Sequence, residues 1–191
     1  MSSARNEHPV IFLWVLPVCI LALLTVIAGG ALNVWALRLY TVPTHSMSPT
    51  ISPGDTIVVE KFTYCFSQPK RGDLVGISVY ELHISLDKGE IWCRRIIGVP
   101  GDVLEVKFGR IHVNGCPLSE CKPPVAPTDR IGPLSPYPSY LAGDEDHFFV
   151  QEGTYFVIGD NLADSLDSRY LGPFSRKSIV SKVAFILHSR D

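Results

Sequence analysis

Two hydrophobic patterns divide the chain. Residues 9–37 contain no Asp, Glu, Lys or Arg, and an apolar run over 10–27 resumes over 35–39. A helix across 9–37, rising ~1.5 Å per residue, is longer than the ~30 Å hydrocarbon core of a bilayer, which predicts one transmembrane anchor. Pro17 falls inside it and predicts a kink. Beyond the anchor the apolar runs become short: "DTIVVEKF" (55–62), "GDLVGISVY" (72–80), "EIWCRRIIGV" (90–99), "DVLEVKF" (102–108), "RIHV" (110–113), "TYFVIG" (154–159) and "KVAFIL" (182–187). Each is rich in β-branched and aromatic residues and bounded by Gly, Pro or Asp, so the pattern predicts strands and an all-β domain.

Gly109 alone separates "EVKF" from "RIHVNG", which predicts a tight hairpin whose glycine takes a positive φ. Residues 114–151 differ. They include "CKPPVAPTDRIGPLSPYPSY", whose prolines cannot donate to a ladder, so this stretch is expected to be a long surface excursion. The organisation read from the chain is a short tail over 1–8, an anchor over 9–37 and one folded domain over 38–191 that carries the Pro-rich excursion. A cleaved secretory signal is the alternative to the anchor, because "IAGGA" (27–31) supplies small residues. The apolar stretch exceeds the ~7–15 residues of a signal core, which favours retention. Arg5 and Arg38 flank the anchor on opposite sides, so the positive-inside rule sets no orientation.

A length of 191 residues suits one anchor and one domain. The formal net charge of -2 supplies no basic field of the kind that nucleic-acid binders use, which argues against that partner. Five cysteines are too few for a disulfide scaffold, and no four ligands have zinc spacing. No motif for a metal, nucleotide or other cofactor is present, so none is expected.

Three separated blocks carry the chemistry: "HSMSPTISPGD" (45–55), "RRIIGVPGD" (94–102) and "GDNLADSLDSRYLGP" (159–173). With "KRGDLV" (70–75) and the order and spacing of all four, the chain resembles the type I signal peptidases from the anchor to near its C-terminus. The block over 159–173 is the most specific and departs from the family pattern mainly at 162–164. The resemblance implies a membrane-anchored serine endopeptidase that removes signal peptides from exported preproteins, on a largely antiparallel β-barrel-like domain. It also implies a single-pass membrane protein with a cytoplasmic amino terminus and the domain on the extracytoplasmic side; of a bacterial inner membrane and an organellar one, the bacterial membrane is preferred. Preprotein signal peptides and the lipid bilayer are then its partners, and small residues are expected at the first and third positions before the cut, with Met47 and Ile96 as pocket walls.

By family position Ser46 is the nucleophile. A nucleophilic hydroxyl must be held rigid, and Pro43 and Pro49 restrict the backbone on either side of it. Taken alone, a serine beside prolines reads equally well as a turn residue whose hydroxyl bonds the backbone. The resemblance further implies that Thr44 helps the Ser46 N–H to hold the oxyanion, that Ser165 bonds the general base, and that Asp167 and Arg169 organise the loops as an ion pair. The last two are read here as structural.

The departure from the family is at the general base, where Arg94 stands in place of lysine and is followed by the expected Arg95. Burial can lower a lysine from about 10.4 toward ~7–8 and leave a neutral amine to take the serine proton. A guanidinium, with a pKa above ~12, stays charged and has no acceptor atom. Four readings follow: a signal peptidase using another base, such as His45, His83 or His112; a catalytically inactive membrane scaffold that binds signal-peptide-like segments; a specialised maturation peptidase of conjugative transfer; and a β-barrel binding module unrelated to peptidases. The first is preferred because Ser46, Thr44 and Ser165 are all retained. On the oxidising side of the membrane that the resemblance implies, Cys116 and Cys121 are expected to form a disulfide, and Cys93 to be a buried core residue.

Overall fold

A computed structural model describes residues 9–80, 90–121, 126–127, 129–130, 141 and 147–189, with helix side chains described at 16–27, 29 and 30 before residue 37. In chain order the elements are α1 (Pro9–Ala36), β1 (Leu37–Thr41), β2 (Thr56–Glu60), α2 (Thr63–Phe66), β3 (Leu74–Ser78), β4 (Ile91–Gly98), β5 (Val103–Lys107) and β6 (Arg110–Val113). They continue with β7 (Cys116–Pro117), β8 (His147–Phe149), β9 (Thr154–Ile158), α3 (Ser168–Leu171), β10 (Phe174–Ser175) and β11 (Ile179–Leu187). The chain forms two compact units, Met1–Arg38 and Leu39–Asp191.

In the first unit, α1 holds 28 residues with Pro17 inside it and neither acidic residues in its first turn nor basic ones in its last. Its described side chains, among them Leu16, Val18, Leu21, Leu24 and Ile27, are exposed. Among the described residues no helix is long and apolar enough to cross a membrane. The helix stops at Ala36, and Leu37 already opens β1, so the strand begins one residue inside the stretch read as anchor. The tail over 1–8 lies outside the described residues.

In the second unit every run read as a strand contains one, organised as a seven-stranded sheet in the order β1-β2-β11-β3-β4-β9-β10 and a four-stranded sheet in the order β7-β6-β5-β8. The pairings from β2 onward are antiparallel. Neither order closes on itself, so the expected barrel-like domain consists of two open sheets. Side chains of both, including Ile97, Leu104, Val106, Ile111, Phe156 and Ile158, share one buried cluster. A second cluster gathers Val75, Ile77, Ile96, Tyr155, Val157 and Phe174, with Trp92 packed against it.

The β5–β6 hairpin turns as its sequence predicts. Lys107 pairs with Arg110 across two residues of positive φ, Phe108 at 52° and Gly109 at 68°. That is the primed turn whose twist matches the flanking strands. The Pro-rich excursion lies largely outside the described residues, and its two ends carry short strands. Cys116–Pro117 forms β7 and His147–Phe149 forms β8. Both are edge strands of the four-stranded sheet, where a proline can sit without an N–H to donate.

Candidate active site

The turn after β1 is held from three sides. Val42 N donates to Asp55 O at 2.8 Å and Gly54 N to Val42 O at 2.9 Å, closing the loop at its base. Met47 and Ile51 are fully buried among Val42, Ile57, Val59 and Val183, which anchors the turn to β2 and β11. The Asp55 carboxylate accepts from Ser52 N and Ser189 N, both at 2.8 Å. Those two backbone N–H groups hold its pKa below the ordinary value. Asn161 fastens the far side, its N donating to Ser46 O at 3.0 Å and its Nδ2 to His45 O at 3.2 Å.

On this support Ser46 is 7% exposed. Its Oγ lies 3.2 Å from Thr44 Oγ1 and 3.2 Å from Arg94 Nη1. Cross-strand pairing of Val75 with Arg94 and of Leu74 with Arg95 sets the β4 register. The guanidinium of Arg94 lies 5.0 Å from the Trp92 ring centroid. It donates from Nη1 to Cys93 O at 2.6 Å, and from Nε and Nη2 to Leu166 O at 3.2 and 2.8 Å. Burial lowers the pKa of Arg94 from its ordinary value, and the negative charge of Asp167 opposes that shift. A guanidinium remains a cation in such a site, so toward Ser46 it is a donor and not a proton acceptor.

Of the histidines weighed as substitutes, the two described ones, His45 and His112, have no side-chain hydrogen bond to Ser46. His45 lines the cleft beside it. His112 is on β6, in the other sheet, with Nδ1 at 3.0 Å from Arg110 O. His83 lies outside the described residues.

The loop from Gly159 to α3 is built on a buried ion pair. Arg169 Nε and Nη2 donate to Asp167 Oδ1 and Oδ2 at 2.8 and 2.9 Å. The same arginine reaches Leu162 O at 2.8 Å and Ser165 O at 3.2 Å, and Asp167 Oδ2 accepts Gly159 N at 3.0 Å. Gly159 has no room for a side chain, because a Cβ there would stand 2.3 Å from Ser165 Oγ and 2.4 Å from Ser46 O. Ser165 Oγ is enclosed and has no hydrogen-bond partner among the described residues. The expected bond between Ser165 and the group at the base position is therefore not made: Arg94 spends its donors on Leu166, Cys93 and Ser46.

A second network was not foreseen from the sequence. Arg95 clamps Asp160 with Nε and Nη2 at 2.7 and 2.6 Å and donates to Gly72 O at 3.0 Å, while Thr50 Oγ1 donates to the same carboxylate. It joins β4, the turn before β3, the Ser46 turn and the 159–169 loop. The available signal was the tandem arginines themselves: adjacent strand residues face opposite sides, so two cations there need two separate environments.

Ser46, Thr44 and Arg94 open onto a cleft of about 740 Å³. Tyr40, Val42, Met47, Ile57, Val59 and Cys93 form much of its lining, with Glu90 and Asp164 as its carboxylates. Ile96 does not line it, being fully buried with Val75, Tyr155 and Phe174. Cys93 is half-buried against the Met47 cluster, and burial pushes its thiol up to about 12. The bridge expected between Cys116 and Cys121 is not formed. Both are free, and the Cys121 thiol turns inward to donate to Pro117 O at 3.1 Å. Among the described residues no cluster of His, Cys, Asp or Glu could hold a metal ion.

Comparison with known proteins adds family context. The family model for signal peptidase, peptidase S26, matches residues 12–188. A signal peptidase I of Bacillus licheniformis is 30% identical over 186 residues, covering 97% of this chain and 92% of that one. A signal peptidase I of Leptolyngbya laminosa is 29% identical over 163 residues, covering 83% of this chain and 72% of the relative. A crystal structure of a signal peptidase I from Enterococcus faecalis aligns with a TM-score of 0.43 at 27% identity, covering 62% of this chain and 98% of the other.

Proposed function

The chain belongs to the signal peptidase family, peptidase S26, and on that premise we propose that it is a membrane-anchored serine endopeptidase that cleaves signal peptides from exported preproteins. Residues 9–37 are the anchor in this reading, the domain after it works on the extracytoplasmic side of a bacterial membrane, and Ser46 is the nucleophile. The observation that carries it is the seating of Ser46 Oγ in the cleft, 3.2 Å from both Thr44 Oγ1 and Arg94 Nη1.

Chemically, Ser46 Oγ adds to the scissile carbonyl while its proton passes to hydroxide from solvent. Arg94 stabilises the developing alkoxide as a fixed cation in a place of low dielectric, a role distinct from that of a base. The Ser46 N–H and the Thr44 hydroxyl receive the oxyanion. Collapse breaks the C–N bond, the amine leaves with a proton from water, and water then hydrolyses the acyl-enzyme. Asp167, Arg169 and the Arg95–Asp160 pair keep the two loops in place.

The second reading is a scaffold that binds signal-peptide-like segments without cutting them. It draws on the same geometry: Arg94 donates to Ser46 Oγ and, among the described residues, nothing bonded to that hydroxyl is a base. Purified full chain in detergent, incubated with a preprotein beside its Ser46→Ala variant, separates the two. Product from the parent alone is the expected outcome. Product from both, or from neither, defeats the peptidase reading.

A further inference from the structure

Two arginines are buried among the described residues, Arg169 and Arg94. The first is neutralised by Asp167. The second is bonded only to two carbonyls and a hydroxyl, those of Leu166, Cys93 and Ser46. Asp167 acts on Arg94 through space, its oxygens being occupied by Arg169 and by Gly159 N. Placing a cation in a protein interior is costly unless an opposite charge meets it. Neutral carbonyls solvate a guanidinium but do not cancel its charge. The guanidinium, the Ser46 hydroxyl and the Thr44 hydroxyl share one lining with the apolar side chains of Val42, Met47 and Ile57, and the carboxylates of that lining, Glu90 and Asp164, are not hydrogen-bonded to Arg94.

An occupant that satisfies the guanidinium, the two hydroxyls and the apolar wall is apolar along its length and carries one anion at its end. We propose that the cleft is a receptor for the free α-carboxylate of a peptide, with Arg94 as counter-charge and the Ser46 and Thr44 hydroxyls as further donors. A neutral lysine base could not supply that charge; replacing the base with arginine exchanges a proton acceptor for an anion site. In a peptidase the ligand is the carboxyl-terminal end of the severed signal peptide, retained after the cut. This inference rests on the cleft receiving peptides, as proposed above, and not on its cleaving them.

The test compares a fluorescein-labelled apolar peptide ending in alanine with a free carboxylate and the same peptide ending in a carboxamide. Binding to the full chain in detergent is followed by anisotropy. The free acid is expected to bind at least about tenfold more tightly, as one charge-assisted hydrogen bond would give. Arg94→Gln should abolish the preference, while Arg94→Lys, assayed on the acid side of its lowered pKa, should keep part of it. Equal binding of acid and amide, binding of neither, or an undiminished preference in Arg94→Gln overturns the proposal. Preprotein cleavage measured on the same preparation keeps the two ideas apart. Cleavage without carboxylate preference sinks this inference alone, and preference without cleavage sinks the peptidase reading alone.

Discussion

Arg169 and Arg94 are buried to a similar extent, 2% and 6% exposed, yet their surroundings differ. In the 159–169 loop, Arg169 meets a carboxylate through two parallel hydrogen bonds and ties down two carbonyls besides. On β4, Arg94 meets carbonyls, an indole face and the hydroxyl of Ser46. The loop has used its charge to hold itself together. The strand holds a charge to which no carboxylate of the described residues is hydrogen-bonded, next to a candidate nucleophile. Uncompensated burial of this kind is what distinguishes a site available for chemistry or ligand binding from a structural pair.

The largest effect is expected from breaking the paired arginine. Arg169→Met strands Asp167 as a buried carboxylate and should cost about 3–5 kcal/mol of stability, read from chemical denaturation of the domain. A loss below ~1 kcal/mol, the scale of an exposed pair, would mean that Asp167 is not the anchor of the loop.

A smaller change, in rate, is expected from Arg94→Lys. An amine of similar reach enters a place where Ser165 Oγ has no hydrogen-bond partner among the described residues and Ser46 Oγ needs an acceptor. Cleavage at neutral pH should rise by about tenfold or more, ~1.4 kcal/mol of barrier. The pH profile should change shape as well. With arginine, the rate climbs continuously as hydroxide increases; with lysine, it climbs through the lowered lysine pKa as the neutral amine forms, then levels. An unchanged rate and profile in folded protein would show that the residue at this position does not govern the serine proton.

The smallest effect sharpens the comparison by its sign. Arg94→Met removes a buried cation without stranding a carboxylate, and should stabilise the domain by about 1 kcal/mol while eliminating carboxylate preference. Destabilisation on the scale of Arg169→Met would mean that the bonds to Leu166 and Cys93 are as structural as the ion pair.

Strands and turns were legible in the chain because their causes are local. Period-two runs of Val, Ile and aromatic residues need only a sheet to lie on, and Gly109 marks a turn that few other residues enter. The positions of Ser46, Thr44, Arg94, Ser165, Asp167 and Arg169 were legible too, because each stands in a block of fixed spacing. β1 was hidden by its apolar residues, which continue those of the preceding helix. The two-residue strands β7 and β10 were hidden by their length, since pairing partners and not propensity define them.

What each of those residues meets depended on contacts between distant parts of the chain. The tandem arginines are chemically alike in sequence. The β3–β4 register sends one to a serine 48 positions away and the other to Asp160, 65 positions away. The same register, with the bulge between Ile96 and Gly98, buries Ile96 in the core instead of the cleft wall. Cys121 lies close enough in sequence to suggest a bridge to Cys116, but the turn after β7 directs its thiol to Pro117 O. Sequence alone determined the longer strands and the blocks in which the candidate residues stand, through local propensity and spacing. Only the tertiary structure decided which buried charge has a partner and which has none, because neutralisation of a charge depends on where another segment places its carboxylate.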